Sequence, residues 1–267
     1  MKFSESKSNH IYVAAHRGLS ATYPENTMAA FRAAVEAGVD QVETDIRITA
    51  DGELVLIHDA TLDRTTNGTG RVDAHTLKEL QVLDAGSYKG AAFADCKIPT
   101  LAEFIAYVKP FSELTLDLEL KEYPTTGHEK VAYEVCDRVL AMVEENGLAD
   151  RVVINTFSGK LHEYIYRKYG NRYRQHVYFP ISHLGECEID PYSYGYCCCM
   201  FSQKGELMAE PAEFAAMAAR GVEPWAGASV KNEQTVQMAI DAGAKLITCN
   251  NADEILKILA EKGMRNT

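Results

Sequence analysis

Short apolar runs alternate along the whole chain with longer stretches in which apolar residues recur at helical spacing. The short runs Ile11–His16, Gln41–Ile46, Leu114–Lys121, Arg151–Thr156, His176–Ile181, Tyr196–Phe201, Glu223–Ser229 and Lys245–Cys249 read as strands. The stretches Glu25–Ala37, Leu101–Lys109, Glu129–Asn146, Lys160–Tyr169, Pro211–Arg220, Asn232–Ala242 and Ala252–Lys262 read as helices. Glycines follow these helices at 38, 147, 170, 221, 243 and 263, where a left-handed cap favours them. Strand–helix alternation repeated in this way predicts a parallel sheet. Eight strands in a chain of 267 residues fit a closed (β/α)8 TIM barrel, with an open doubly wound sheet as the fallback.

One interval breaks the rhythm. Residues 59–97 carry the turn-rich Thr65-Thr66-Asn67-Gly68-Thr69-Gly70, a short helical stretch near Leu77–Leu83, and then Gly86 and Gly90. This is an insertion between the second and third barrel strands, where loops usually shape a pocket. No linker or composition shift divides the chain, so residues 1–267 read as a single domain.

Composition narrows the partners. The 46% hydrophobic and 24% charged residues are those of an ordinary globular protein. A net charge of −11 argues against duplex nucleic acid and anionic membranes, which are bound by excess basic charge, but leaves room for a small phosphate ester in a local basic pocket. No apolar stretch of signal-peptide or membrane-spanning length occurs. The seven cysteines include the run Cys197-Cys198-Cys199 but no Cys-x-x-Cys pair, which suits buried reduced thiols. A cytoplasmic protein without stable membrane insertion is expected, its oligomeric state open.

On a barrel, chemistry collects at strand C-termini. The first strand ends His16-Arg17-Gly18; taken alone, these read as a satisfied rim histidine and a surface charge. The second carries Glu43 and Asp45, two apart and therefore on one face. The third alternates Leu114, Leu116, Leu118 and Leu120 with Thr115, Asp117, Glu119 and Lys121, which predicts leucines toward the helices and polar residues inward. Carboxylates converging in one mouth repel by about 1–4 kcal/mol per pair at about 4 Å. Either their pKa values rise or a cation sits among them, and all-oxygen ligation favours magnesium or calcium. A salt-bridge network with Arg17 and Lys121 is the metal-free alternative. Asp51-Gly52 between alternating runs predicts a tight hairpin extending the second strand. Counting outward from a two-residue turn places His58 opposite Asp45, and so a second histidine at the rim.

Together His16-Arg17-Gly18, Pro24-Glu25-Asn26-Thr27, Glu43-x-Asp45, His58-Asp59 and Glu119-x-Lys121 resemble the glycerophosphodiester phosphodiesterase family, in order and spacing. The resemblance implies hydrolysis of a small-molecule glycerophosphodiester to glycerol 3-phosphate and an alcohol, with one divalent cation, magnesium or calcium. It implies His16 and His58 as the acid–base pair, Glu43, Asp45 and Glu119 as metal ligands, and Arg17 and Lys121 as phosphate contacts. The substrate's 2-hydroxyl would attack phosphorus, and water would then open the cyclic phosphate.

The last third departs from the family pattern. Trp225 is followed by Ala226-Gly227-Ala228-Ser229 rather than Thr-Val-Asn, and Thr248-Cys249-Asn250-Asn251 stands where Thr-Asp-x-Pro is usual. These positions are expected to lie away from the metal and phosphate groups and to affect the leaving-group preference. Trp225 reads as a substrate-binding lid or as core packing. The alternatives are a lysophospholipase D-like enzyme on the same scaffold, which would want an apolar groove, and a non-catalytic phosphodiester-binding protein, which has no evident need of two facing histidines.

Overall fold

Eight parallel strands close into a ring in the computed structural model, which describes residues 9–179, 181–200 and 211–265. They are β1 (Tyr12–Ala15), β2 (Gln41–Ile48), β4 (Thr115–Leu120), β5 (Val152–Asn155), β6 (Arg174–Phe179), β7 (Gly195–Met200), β8 (Glu223–Ala226) and β9 (Leu246–Cys249). Neighbours pair in chain order, and β1 pairs with both β9 and β2, which shuts the barrel. The short β3 (Leu54–Leu56) is the exception, lying antiparallel on the extended end of β2. Around the ring run α1 (Met28–Glu36), α3 (Leu101–Val108), α4 (Glu129–Glu145), α5 (Gly159–Tyr169), α6 (Pro211–Ala219), α7 (Glu233–Ala242) and α8 (Ala252–Glu261). The insertion carries α2 (Leu77–Gln81). The expected barrel is thus the observed one. β6 begins two residues earlier than expected, at Arg174, and Phe201 of the expected strand Tyr196–Phe201 lies outside the described residues.

Local chemistry starts α2 and α3 where the pattern predicts, whereas α1 begins at Met28 behind the Thr27 cap, three residues later than expected. Thr76 and Thr100 each cap a helix and receive a returning glutamate, Glu79 and Glu103, so two otherwise orphaned N–H groups are satisfied at each end. The β4 alternation holds without fault. Leu116, Leu118 and Leu120 pack outward with Phe31, Phe104 and Ile154 into the core under the helices. Asp117 and Glu119 face into the barrel, where Ala14, Val153, Trp225 and Leu246 form a small apolar plug. Residues 59–97 pack against β3 and its flanks in a second core of Val55, Ile57, Leu62, Val72, Leu80, Ala85 and Ile98. Among the described residues, no helix is long and apolar enough to cross a membrane.

The hairpin corrects the expected register. Ile46 pairs with Leu56, Arg47 with Val55 and Ile48 with Leu54, and the Thr49 N–H donates to the Glu53 carbonyl. The loop is therefore Ala50-Asp51-Gly52, with only Gly52 at positive φ, +86°. Asp51 Oδ1 accepts from the Thr49 hydroxyl (2.6 Å) and the Leu77 N–H (2.9 Å), contacts that hold it in the longer loop. The added residue puts Ile57 opposite Asp45, its N–H donating to the Asp45 carbonyl at 3.1 Å. His58 sits one position farther along.

One buried histidine outside the barrel mouth sets a pH dependence. His162 on α5 is completely buried, with the Thr156 carbonyl 3.0 Å from Nε2 and the Gln175 side-chain amide 2.7 Å from Nδ1. Burial pushes its pKa down to about 4, so the folded chain keeps the ring neutral where the unfolded chain protonates it. Its contribution is complete above pH ~6.5 and is lost as pH falls toward about 4, amounting to roughly 3 kcal/mol. Urea unfolding at pH 7 and 4.5 should show a smaller acid-induced loss in His162→Gln than in the wild type. Equal losses would contradict this assignment.

Candidate active site

The chain leaves β1 through a forced turn. Arg17 sits at φ +57° and Gly18 at +76°, and a Cβ on Gly18 would lie 2.7 Å from the Ala30 carbonyl carbon of α1. The turn delivers the Arg17 N–H to Glu43 Oε2 at 2.8 Å, and the guanidinium to Glu25 (2.9 Å) and Asp45 Oδ2 (3.3 Å). Asn26, also at positive φ (+55°), donates to Asp45 Oδ2 at 2.7 Å and accepts from the Thr44 hydroxyl at 2.8 Å.

Glu43 and Asp45 on β2 and Glu119 on β4 each present an oxygen, all within 4.8 Å of one another and all buried. Lys121 Nζ bonds Glu119 and lies 3.1 Å from Asp45 Oδ1. Burial alone would raise the Asp45 pKa, but Lys121 and Arg17 hold it well below the usual carboxylate range. Burial, followed by the neighbouring Asp45 and Glu119, pushes Glu43 well up; burial also raises Glu119, against Lys121. Two cations thus serve three acids, and Glu43 Oε1 is buried with no hydrogen-bond partner. An oxygen-only cluster with an uncompensated carboxylate fits a hard divalent cation, magnesium or calcium.

Both predicted histidines reach this mouth. His16 Nδ1 lies 2.7 Å from Asn250 Oδ1, and its Nε2 lies 3.9 Å from Glu43 Oε2. Burial, then the adjacent Arg17, lowers its pKa to about 4. This contact and the presence of Ala228, Ser229 and Thr248 in the lining of the cavity at this mouth correct the expectation that both altered C-terminal segments lie away from the metal and phosphate groups. Pairing of β9 with β1 carries Asn250 directly onto His16.

His58 Nδ1 lies 2.6 Å from Asp59 Oδ1, and the Arg47 guanidinium binds the His58 carbonyl at 2.9 Å. Burial lowers the His58 pKa and Asp45 opposes the shift. In both histidines Nδ1 is occupied, which leaves Nε2 as the nitrogen for chemistry. From the insertion, Arg64 clamps Asp59 (2.7 and 3.0 Å) and Glu25 (2.8 Å twice), joining the partner of His58 to the partner of Arg17.

A cavity of about 320 Å³ opens between these groups, lined by His16, Arg17, Glu43, His58, Glu119 and Lys121 on one side. Asn155, Phe157, His176 and Tyr178 line another side, with the Phe157 and Tyr178 rings stacked at 3.9 Å. Asp45 lies behind Arg17 and Lys121, fully buried. Of the two readings of Trp225, substrate-binding lid or core packing, the structure gives packing: the ring is not part of the cavity lining. It is fully buried within the barrel beside Ala14, Val153 and Leu246, edge-on to His176 at 5.1 Å. Sequence reasoning quoted Glu25, Asn26 and Asp59 only as motif members, and gave no role to Arg64, Asn250 or the buried Asp117–His176 pair. Asn26 sits at positive φ, which asparagine tolerates well, so the residue type was the available signal for that position.

With this geometry in place, comparison with known proteins gives a consistent answer. Residues 16–186 match the glycerophosphoryl diester phosphodiesterase family. The chain belongs to that family. The matched segment takes in both histidines, the acidic triad, Arg17 and Lys121, while Trp225 and Asn250 lie beyond it. Among curated family members, a glycerophosphodiester phosphodiesterase of Caldanaerobacter subterraneus subsp. tengcongensis is 41% identical over 150 residues, 55% of this chain and 58% of that protein. The chain spans about half the length of the curated relatives it matches. An Oleispira antarctica phosphodiesterase, solved in complex with the product sn-glycerol-3-phosphate, superposes with a TM-score of 0.77 at 24% identity, covering 93% of this chain and 96% of that one. A glycerophosphodiester phosphodiesterase from Agrobacterium tumefaciens gives a TM-score of 0.75 at 23% identity, covering 92% and 99%. These two share the barrel fold.

Proposed function

We propose that this family member is an enzyme that hydrolyses glycerophosphodiesters to glycerol 3-phosphate and an alcohol, by acid–base catalysis between His16 and His58. The observation that carries the reading is the cavity itself. Two histidines, two of the three clustered carboxylates and two phosphate-seeking cations line one space of about 320 Å³, with Asp45 directly behind it. The sn-glycerol-3-phosphate bound by the Oleispira antarctica neighbour is the product expected here.

Glu43, Asp45 and Glu119 would hold the magnesium or calcium ion, which supplies positive charge for the phosphoryl oxygens. Arg17 and Lys121 add their own charge to the same oxygens as the transition state forms. The substrate's 2-hydroxyl attacks phosphorus, one histidine takes its proton, and the other protonates the leaving alcohol. Water then opens the cyclic phosphate with the roles exchanged. The Nδ1 partners differ: neutral Asn250 behind His16, carboxylate Asp59 behind His58. A carboxylate stabilises the protonated ring, so we assign His58 as the acid and His16 as the base of the first step. We take the chain as one such domain with 59–97 as an insertion. We place it in the cytoplasm, where the free Cys96, Cys136, Cys187 and Cys249 stay reduced.

A substrate panel tests the reading. Choline release is expected from glycerophosphocholine and not from lysophosphatidylcholine. Release from the lysolipid alone would make the lysophospholipase D-like alternative correct; binding of glycerophosphocholine without turnover, with either cation, would make the chain a binder.

A further inference from the structure

We infer that Asn155 and His176 form a hydroxyl-reading subsite at the buried end of the cavity, which selects diesters whose glycerol keeps its free terminal hydroxyl. This rests on the proposed reaction and deepens it. Asn155 on β5 and His176 on β6 are register partners, so their side chains enter the barrel side by side. Both line the cavity, yet they are only 1% and 2% exposed, whereas His16 and His58 stand nearer its opening.

Each has committed one polar atom to the protein. The Asn155 amide donates to the Tyr178 hydroxyl at 2.7 Å, and that hydroxyl faces Glu119 Oε2 at 3.5 Å. The contact fixes the amide with Oδ1 as the free acceptor. His176 Nδ1 faces Asp117 Oδ2 at 2.6 Å, so Nδ1 carries hydrogen and Nε2 is left over. Asn155 Oδ1 and His176 Nε2 are both buried and have no partner. Buried polar atoms in native proteins are almost always satisfied, so partners for this pair are expected from the cavity they line.

A hydroxyl suits this pair of acceptors, since its one hydrogen can be donated to either Oδ1 or Nε2. A phosphoryl oxygen cannot donate to Oδ1, and it has Arg17 and Lys121 nearer the mouth. With phosphorus at the cations and the 2-hydroxyl at the histidines, the remaining glycerol carbon and its hydroxyl extend toward Asn155 and His176. The stacked Phe157 and Tyr178 rings border its C–H surface, and the leaving alcohol stays on the open side. The pocket therefore reads the glycerol closely and the alcohol loosely, and an acyl group on the terminal hydroxyl would meet the buried end.

The test compares glycerophosphocholine with 2-hydroxyethyl phosphocholine, which keeps the attacking hydroxyl but lacks the terminal hydroxymethyl group. The wild type should favour the glycerol substrate by at least about tenfold in kcat/KM, because the analogue leaves the buried pair unanswered. In His176→Gln, and in a double Asp117→Leu/His176→Phe variant that orphans neither member of the pair, the preference should collapse toward one. A variant that turns over neither substrate is read by calorimetry, as the Kd ratio for glycerol 3-phosphate against 2-hydroxyethyl phosphate. A wild-type ratio near one, or an unchanged ratio in both variants, overturns the subsite. If the wild type hydrolyses neither substrate, the proposed reaction fails instead.

Discussion

His58→Ala should lower kcat on glycerophosphocholine by about a thousandfold, within the range expected for loss of a general acid. The residue reaches the phosphoryl site through two independent supports: Arg47 on its carbonyl and Asp59 on Nδ1. Removing the imidazole leaves that backbone in place, so KM should change far less than kcat. Arg64→Ala should cost less, about ten- to a hundredfold, since it frees Asp59 and Glu25 without removing a reacting group. Steady-state kinetics on variants with native circular dichroism check the series. A His58→Ala enzyme within tenfold of the wild type would remove this residue from the acid–base pair.

Glu43→Gln should abolish the response to cations. In the wild type, added magnesium or calcium should raise Tm and support turnover, because an ion bound only by the folded cluster stabilises it by mass action. Glu43 is the carboxylate whose charge the protein compensates least, with Oε1 buried and unpartnered. Its amide variant should therefore be at least as stable as the cation-free wild type, show no cation-dependent rise in Tm, and lose about 10²–10³-fold in kcat. Asp45 would behave differently. It pairs with both Arg17 and Lys121, so Asp45→Ala would take one partner from each of two buried cations, leaving Arg17 to Glu25 and Lys121 to Glu119, and destabilise the fold itself. Differential scanning calorimetry separates the two cases. A Glu43→Gln protein that still gains Tm from the cation would show that the ion does not need this carboxylate.

The barrel and most of the site were legible wherever the information was local. Alternation over Leu114–Lys121 names one face for the helices and one for the mouth, and the structure keeps that division residue by residue. The Glu43 and Asp45 pair converges with Glu119 for the same reason. Readings that depended on distant contacts went astray. The hairpin turn is three residues rather than two because Asp51 is tied to the Leu77 N–H of the insertion, a partner that hairpin chemistry alone does not reveal. Asn250 came to His16 only because β9 closes the ring on β1, across 234 positions of sequence. Trp225 was open to two readings, lid or core packing, and only the second holds. Its inward position on β8 lies beside His176 in the barrel interior, where a large apolar ring fills space.

The central claim is that this cavity cleaves glycerophosphodiesters through attack by the substrate's own hydroxyl. Phosphorus-31 NMR of glycerophosphocholine with the wild type and magnesium or calcium tests it most directly. The diester resonance should give way to glycerol 3-phosphate through a transient cyclic phosphodiester, and chelator should stop the reaction. A diester resonance that persists with both cations, or conversion to monoester in chelator at an undiminished rate, would contradict the account.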